Sequence, residues 1–403
     1  MVLRLKYEIG KEKTAVHSRH PGGDSTIMKN ILLLIKNNPW MMCGGAEVFV
    51  KEISKRLSKK YKVFVVCEGT TTGSEIIDNV HVNTYKTSNI PKIRALESTY
   101  KLYKTAKSII TKYNIDVINS HIEFPTGYIG CILGEQYNIM SVLSIHGAYG
   151  SAYNSSRHNF IYRYFIRKCI KKSKRIHTVS NYSKSILTHS FDGIKNKIFV
   201  VSPGVDEKTF DSKKYNKKRK EYSIICVSSF HKLFTQKRQD LLLFAAKKLI
   251  KKYPKLSITF IGNGDATQLK KLSEKLNLTK NLVFLGKLKS HSDVAKKLSE
   301  TKIFAFPTLF ESFGMVSLEA MSTGTVPVVP KIPPFDEYMT DKKEGIFVEL
   351  SVEGFYEGID YLFSNEKILL ELSKNAILKS NQYKWQRIVR KYENMLFSCR
   401  SLK

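Results

Sequence analysis

Short apolar runs alternate with amphipathic helical segments along most of this chain. The apolar run "ILLLI" (31–35) precedes the helical pattern "GAEVFVKEISKRLSKK" (45–60), and the order of strand then helix recurs to about residue 200. This alternation is typical of parallel strands whose sheet is covered by helices on both faces. The sequence therefore predicts an α/β fold built on open parallel sheets.

A charged segment with few apolar residues divides this alternation in two. It includes "DSKKYNKKRKEY", and a new strand pattern begins at "SIICVSSF". A chain of 403 residues is long enough for two domains of ordinary size. The predicted division is a disordered extension at 1–27, a Rossmann-like domain at 28–205, a linker at 206–222, a second Rossmann-like domain at 223–378 and a C-terminal segment at 379–403. Residues 375–400 have the pattern of one long amphipathic helix.

The chain carries a large excess of positive charge. It has 67 Lys and Arg residues against 35 Asp and Glu residues, which gives a formal charge of +32. Such a field attracts polyanions, anionic lipid surfaces or phosphorylated small molecules, and a generally lysine-rich surface is the other explanation. The basic pattern "FIRKCIKKSKR" (165–175) suits a helix that touches an anionic membrane, or one that packs on its own sheet. No zinc-finger, homeodomain, KH or RNP pattern occurs, so we expect no nucleic-acid partner.

The apolar runs and the cysteines indicate the cellular compartment in which the protein is expected. No apolar run is long enough to cross a bilayer, and the first 20 residues lack the apolar core of a secretory signal. The six cysteines are scattered, without the spacing of a zinc site. We therefore expect a cytoplasmic protein, with the inner face of the cell membrane as a place of peripheral contact, and no cofactor or metal.

Glycines and histidines follow the predicted strands of the first half. Open parallel sheets bind ligands beyond the carboxyl ends of their strands. Gly44 and Gly45 open a helix there, which would let backbone N–H groups approach a phosphate, although such glycines are also common in ordinary loops. His121 and His146 end two strands, where each could donate a hydrogen bond, move a proton or simply bond to a backbone carbonyl.

Cations and glycines follow the strands of the second half. The loop "VSSFHKLFTQKRQD" offers His231, Lys232, Lys237 and Arg238, which suit a diphosphate or form a solvated basic loop. The segments "FIGNGD" and "FLGKL" place Gly262, Gly286, Lys287 and Leu288 at two further strand ends. These loops could wrap a flat ligand such as a nucleotide base.

Two glutamates stand eight positions apart in the apolar stretch "FPTLFESFGMVSLEAMSTGTVPVVP" (306–330). The pattern predicts a strand, a turn that contains Glu311 and a helix from Met315 that carries Glu319. A partly buried carboxylate needs partners. A ligand with two adjacent hydroxyls would satisfy Glu319, and a salt bridge to a lysine far along the chain is the alternative.

The ordered set of motifs from Met28 onward resembles the family 4 (group 1) retaining glycosyltransferases. That resemblance rests on the glutamate pair together with "GGAEVFVKEISKRL", "SIHG", "TVSNYSKSIL", "VVSPGVDEKTF", "FIGNGDATQLKKL", "NLVFLGKL" and "YKWQRIVRKY". It implies the GT-B architecture, in which two Rossmann-like domains face a central cleft, the first on the acceptor side and the second holding the donor. The C-terminal helix would cross back to the N-terminal domain.

The resemblance also implies roles for the candidate residues. Glu319 would hold the ribose of a nucleotide, Glu311 and His146 the donor sugar, and Lys237 the diphosphate; Glu311, Lys237 and His146 are the predicted catalytic residues. Further donor contacts would come from Phe313, Gly314, Met315, Val316, His231, Lys232, Gly262, Gly286, Lys287 and Leu288. Gly44, Gly45 and His121 would line the cleft. Two features depart from the family: Ser229 to Lys232 stand where an arginine is usual, and Pro333 and Pro334 replace glycines.

These implications predict an enzyme of polysaccharide or glycolipid biosynthesis. It would be a hexosyl- or glycosyltransferase that moves a sugar from a UDP- or GDP-linked donor to a glycan, lipid-linked or small-molecule acceptor with retention at the anomeric carbon. No Asp-x-Asp sequence occurs, which suits a metal-independent reaction. A sugar-nucleotide epimerase of similar fold and a non-catalytic nucleotide-sugar-binding subunit are the alternatives; the second would not need both glutamates.

Overall fold

The computed structural model describes residues 28–41, 44–147, 160–215, 218–230 and 235–398. The chain forms two compact units, each with its own sheet and core. The first takes in the residues up to Val179, Ser183–Val201 and the chain from Val389, and the second takes in Ser180–Tyr182 and Ser202–Ile388. The extension predicted at 1–27 lies outside the described residues.

An eight-stranded sheet forms the centre of the first unit, in the order β3-β4-β2-β1-β5-β6-β7-β8. Neighbouring strands are parallel, except that β3 is antiparallel to β4. Residues 31–35 of β1 are fully buried, as expected for a central strand covered on both faces. The strands are β1 (Asn30–Asn37), β2 (Lys62–Glu68), β3 (Gly73–Ile77), β4 (Val80–Tyr85), β5 (Val117–His121), β6 (Met140–Ile145), β7 (Arg175–Thr178) and β8 (Ile198–Val200).

Helices follow the strands of this sheet and cover it. They are α1 (Gly45–Leu57), α2 (Pro91–Lys112), α3 (Tyr128–Gln136), α4 (Phe160–Lys172) and α5 (Asn181–Ser190). The apolar sides of α2 and α3 share a core with β1, β2 and β5, which includes Leu32, Phe64 and Leu102. A second cluster places Ile166 and Cys169 of α4 against Leu143 of β6.

The second unit has a six-stranded sheet in the order β11-β10-β9-β12-β13-β14. Every neighbouring pair is parallel. The strands are β9 (Ser223–Val227), β10 (Ser257–Ile261), β11 (Leu282–Gly286), β12 (Ile303–Ala305), β13 (Val326–Pro330) and β14 (Ile346–Val348). The strand order reverses between β9 and β12, and the edge of a doubly wound sheet beyond such a reversal is where ligands bind.

Helices cover both faces of this second sheet as well. They are α6 (Gln239–Lys252), α7 (Thr267–Lys275), α8 (His291–Ser299), α9 (Met315–Ser322), α10 (Val352–Ser364) and α11 (Glu366–Ser380). Leu242 and Leu249 of α6 share one core cluster with Phe355 and Ile359 of α10, and these two helices pack directly on each other. The prediction of an α/β protein with two parallel sheets is confirmed.

The C-terminal region contains two helices where the sequence predicted one. Helix α11 ends at Ser380, a 3₁₀ turn spans Asn381–Tyr383, and α12 (Trp385–Phe397) follows. The Val205 N–H donates to the carbonyl of Tyr383 at 2.8 Å. This tertiary contact interrupts the helical hydrogen bonds, so the prediction of one continuous helix over 375–400 was wrong.

The later part of α12 packs within the first unit. Tyr392 is fully buried, and its hydroxyl donates to Oδ1 of Asn119 on β5. The buried guanidinium of Arg175 on β7 donates to the carbonyl of Met395. These buried polar contacts attach α12 to the strands β5 and β7.

Candidate functional site

A glycine in the left-handed conformation joins β12 to α9. Gly314 is the N-cap of α9 and has a φ of +80°, which strains any residue that has a Cβ atom. A Cβ atom there would also lie 2.6 Å from the Phe335 ring. Both constraints require glycine, and together they set the direction in which α9 leaves the sheet.

The N-terminus of α9 has no side-chain cap. Within the described parts of the chain no side-chain cap bonds to its start, and its first turn contains no acidic residue. The first N–H groups of a helix have no acceptor within the helix and carry the positive end of its dipole, so they favour an anion. Phe313 is buried against the Tyr338 ring, while Met315 and Val316 are half-buried. The predicted contacts Phe313 to Val316 therefore lie at one uncapped helix start.

Glu311 and Lys237 form an ion pair beside this helix start. The side chains are 15% and 13% exposed, respectively, so the pair is largely out of water. The Thr308 hydroxyl donates to the same carboxylate at 3.2 Å, and Lys237 Nζ lies 5.0 Å from the centroid of the Phe306 ring. The fold thus brings together two predicted catalytic residues that are 74 positions apart in the chain.

The Glu319 carboxylate has no hydrogen-bond or ion-pair partner among the residues that the structure describes. It lies on α9 and is partly buried. Loss of hydration, with a smaller contribution from the charge of Asp206, raises its pKa from 4.5 to about 8. No lysine among the described residues forms the salt bridge considered from the sequence, so within that part of the chain the carboxyl group is unpaired.

Two glycines occupy the carboxyl ends of β10 and β11. A Cβ atom at Gly262 would lie 1.8 Å from the carbonyl oxygen of Ser228, so only glycine fits. Gly286 has a φ of +64°, and its carbonyl accepts from the Gly262 N–H at 3.0 Å. Beyond it Lys287 is exposed and Leu288 half-buried, while His231 and Lys232 lie outside the described residues.

The two glycines of the first unit open α1. Gly44 is its N-cap and Gly45 its first residue, and both are exposed. A Cβ atom at Gly44 would lie 2.2 Å from the Glu47 carboxylate. That carboxylate is buried and accepts a hydrogen bond from the Asn37 amide at 2.8 Å. The absence of a Cβ atom at Gly44 therefore leaves space for the Glu47 carboxylate that makes this bond.

The histidines behind this loop form a buried pair. His121 is 0% exposed, so its side chain is covered at the end of β5, and its place at a cleft stays a prediction. Its Nδ1 lies 2.8 Å from Nε2 of His146, which is half-buried. Burial and then the nearby His177 lower the pKa of His146 to about 3, so both rings are neutral at pH 7.

A polar network behind these histidines was missed from the sequence. Asn119, Ser144 and His177 are all 0% exposed. Oδ1 of Asn119 also accepts a hydrogen bond from the Tyr392 hydroxyl. The Ser144 hydroxyl is 3.0 Å from both Asn119 Nδ2 and His177 Nδ1. The available signal was the polar residue inside each of the strands "VINSH", "MSVLSI" and "RIHT".

Comparisons with known proteins agree with the fold and with the glutamate segment. The family model for glycosyltransferase family 4 matches residues 43–209, and the model for group 1 glycosyl transferases matches residues 207–379. An uncharacterized glycosyltransferase of Methanocaldococcus jannaschii is 27% identical over 86% of this chain and 92% of its own length. The two family models together extend over both units.

Two further likenesses concern proteins with named ligands or substrates. The Escherichia coli UDP-Gal:alpha-D-GlcNAc-diphosphoundecaprenol alpha-1,3-galactosyltransferase is 24% identical over 83% of this chain and 88% of its own length. The structure of Anabaena HepE in complex with UDP and glucose is 17% identical with a TM-score of 0.74, over 91% of this chain and 99% of that one. From the two consecutive family matches, the shared fold and these relatives, we conclude that the chain belongs to the family 4, group 1 glycosyltransferases of GT-B fold.

Proposed function

We propose that this protein transfers a sugar from a UDP- or GDP-linked donor to a glycan, lipid-linked or small-molecule acceptor, with retention at the anomeric carbon. The unpartnered Glu319 carboxylate beside the uncapped start of α9 is the observation that carries the proposal. An unpaired carboxylate and an adjacent uncapped helix start match two neighbouring parts of a nucleoside diphosphate, the ribose hydroxyls and the phosphates.

Each part of the donor has a complementary group in this proposal. The ribose hydroxyls donate to Glu319, and the diphosphate accepts from the first N–H groups of α9. Lys237 leaves Glu311 for the diphosphate, which frees the Glu311 carboxylate to accept from hydroxyls of the sugar. The glycine loops at Gly262 and Gly286 lie beside the base, and His146 donates to the sugar.

Catalysis in this account comes from positioning and from stabilisation of the leaving group. The bond between the anomeric carbon and the diphosphate oxygen breaks, and the nucleoside diphosphate departs with the bonding electrons. Lys237 and the α9 amides stabilise the charge that develops on it. The acceptor oxygen bonds to the anomeric carbon on the same face, and its proton passes to the diphosphate. No metal is required.

The donor and acceptor classes are proposed from relatives and charge. The named substrates of the Escherichia coli relative are a UDP-linked galactose and a sugar on a lipid diphosphate. A formal charge of +32 suits an acceptor at an anionic membrane. Within the part of the chain that the structure describes, no helix has the length and hydropathy of a membrane span.

A donor panel with lipid and glycan extracts as acceptors tests this proposal. UDP- and GDP-sugars labelled in the sugar are incubated with the full chain, with and without EDTA, and NMR of the product assigns the anomer. We expect label in an acceptor product of retained configuration, at the same rate in EDTA. Label that changes only its sugar identity would favour an epimerase, an inverted product would overturn retention, and loss of activity in EDTA would overturn the metal-free mechanism.

A further inference from the structure

The buried histidine His121 has no role in the proposed donor contacts, yet it touches His146. It ends β5 and is 0% exposed, and its Nδ1 lies 2.8 Å from His146 Nε2. The other ring nitrogen, Nε2, is buried and has no hydrogen-bond partner among the described residues. A contact between two imidazoles needs one proton between them, so the positions of the ring protons are linked.

We propose that His121 is a positioning residue that donates its Nδ1–H to His146 and so fixes the tautomer of His146. This inference rests on the proposed function, in which His146 faces the donor sugar. With Nε2 accepting, neutral His146 carries its proton on Nδ1. It therefore presents an N–H donor to an acceptor oxygen of the substrate.

The unpaired nitrogen of His121 decides the direction of the hydrogen bond. If His146 donated instead, neutral His121 would carry its proton on Nε2, as a buried N–H without an acceptor. Buried N–H groups without acceptors are rarer in proteins than acceptors left unpaired. The arrangement in which His121 donates leaves only a bare lone pair at Nε2, so it is the favoured one.

The neighbours of the pair do not supply a competing proton. His177 has its Nε2 2.8 Å from the carbonyl of Val201, so that nitrogen must be the donor, and its Nδ1 accepts from the Ser144 hydroxyl. Phe49 covers the histidines with its ring, at centroid distances of 5.1 Å from His146 and 5.2 Å from His177. Burial lowers the pKa of all three histidines, which keeps them neutral.

The far side of the His146 ring is the side available to a ligand. His146 is half-buried, and its Nδ1 has no hydrogen-bond partner in the described parts of the chain. A fixed N–H donor there selects a substrate oxygen that accepts, such as a sugar hydroxyl. If His146 exchanged freely between tautomers, only a fraction of the molecules would be ready to bind.

Nitrogen NMR of the free protein tests the tautomer directly. The protein is labelled with ¹⁵N-histidine, and long-range proton–nitrogen correlations are recorded at pH 7.5, with His146 assigned from the spectrum of His146→Gln. We expect a protonated Nδ1 and an unprotonated Nε2 for His146. A protonated Nε2 would overturn the proposal, and this result does not depend on whether the protein binds a nucleotide sugar.

Variants of His121 test the consequence for catalysis. His121→Phe removes the donor, whereas the amide nitrogen of His121→Asn lies near the position of the lost Nδ1 and restores it. We expect His121→Phe to lower kcat/KM about tenfold, the value of one hydrogen bond, with UDP binding unchanged and with recovery in His121→Asn.

The control is His177→Gln, which alters a buried histidine of the same cluster and keeps a donor toward Val201. It should leave the His146 tautomer unchanged, and circular dichroism verifies the fold of every variant. Equal kcat/KM in His121→Phe and wild type would overturn the positioning role. A common loss in all three variants, without a change of tautomer, would also overturn it, because that pattern indicates a structural effect alone.

Discussion

Glu319 is the residue whose environment departs most from that of an ordinary surface glutamate. Its pKa is raised to about 8 because the carboxylate loses hydration and gains no partner in the described structure. The sequence indicated a carboxylate on or beside an apolar helix face. It could not show that no lysine reaches it, because that depends on side chains from other elements.

Replacement of Glu319 by glutamine should stabilise the protein in a pH-dependent way. The folded-state pKa lies above the ordinary value of 4.5, so ionisation costs folding free energy as the pH rises from 4.5 to about 8. We expect Glu319→Gln to be close to wild type at pH 5 and more stable by about 1–3 kcal/mol at pH 9. Urea denaturation at the two pH values measures this, with the exposed Glu371→Gln as control. A constant difference at both pH values would contradict the environment described for Glu319.

The contact between Glu311 and Lys237 could not be predicted from the sequence either. Each residue was identified from its own segment, but the two segments are 74 positions apart in the chain. Only the folded sheet shows that they meet. The depth of His121 has the same origin: the end of a strand can be predicted, but whether neighbouring rings cover it depends on tertiary packing.

Among the elements, α9 depends most on a single glycine. Gly314→Ala should destabilise the protein, because the left-handed φ costs about 1–2 kcal/mol and the new Cβ atom meets Phe335 at 2.6 Å. The matched control is Gly193→Ala, whose φ is +71° with no atom within 4 Å of the new Cβ. We expect thermal unfolding to shift further for Gly314→Ala, and UDP binding to weaken only there. Equal shifts would show that the ring contact is unimportant.

Helix α12 depends on a buried hydroxyl for its attachment. Tyr392→Phe removes a buried hydroxyl that donates to the Asn119 carbonyl oxygen, so we expect a loss of about 1–3 kcal/mol in the free energy of unfolding. The control Tyr61→Phe removes a hydroxyl that contacts Glu393 of the same helix, where Lys60 remains as a partner. Chemical denaturation measures both. A smaller loss for Tyr392→Phe than for Tyr61→Phe would contradict this assignment.

The regular elements of both sheets were largely predictable, and the irregular ones were not. Continuous apolar runs such as "ILLLI" identify central strands because both faces are buried. The pair β3 and β4 was missed since β3 is mostly exposed, with a burial pattern typical of a loop. The break between α11 and α12 was missed because the amphipathic pattern continues across it while a contact with Val205 interrupts the helix.

For the whole molecule, the charge predicts contact with anionic membranes. We expect the protein to sediment with phosphatidylglycerol vesicles but not with phosphatidylcholine vesicles, and to dissociate in high salt. The double variant Lys171→Glu and Lys174→Glu changes two exposed residues, one in the last turn of α4 and one just after the helix, and should weaken binding about tenfold or more. The same reversal at exposed Lys270 and Lys271 of α7 is the control. If both double variants weaken vesicle binding equally, the overall charge of the protein causes the binding, and not a specific surface at α4.

Calorimetric titration shows whether this fold holds a nucleoside diphosphate at Glu319 and α9. UDP and GDP are titrated into wild type, Glu319→Ala and Glu371→Gln at pH 6.5 and pH 8.5. Ribose hydroxyls require the ionised carboxylate, so wild-type affinity for one nucleotide should rise with pH as Glu319 loses its proton.

Glu371→Gln should behave as wild type. Glu319→Ala should bind at least tenfold more weakly at pH 8.5, and its affinity should lose most of the dependence on pH. If wild type binds neither nucleotide, or if Glu319→Ala binds as tightly as wild type at both pH values, the account is contradicted.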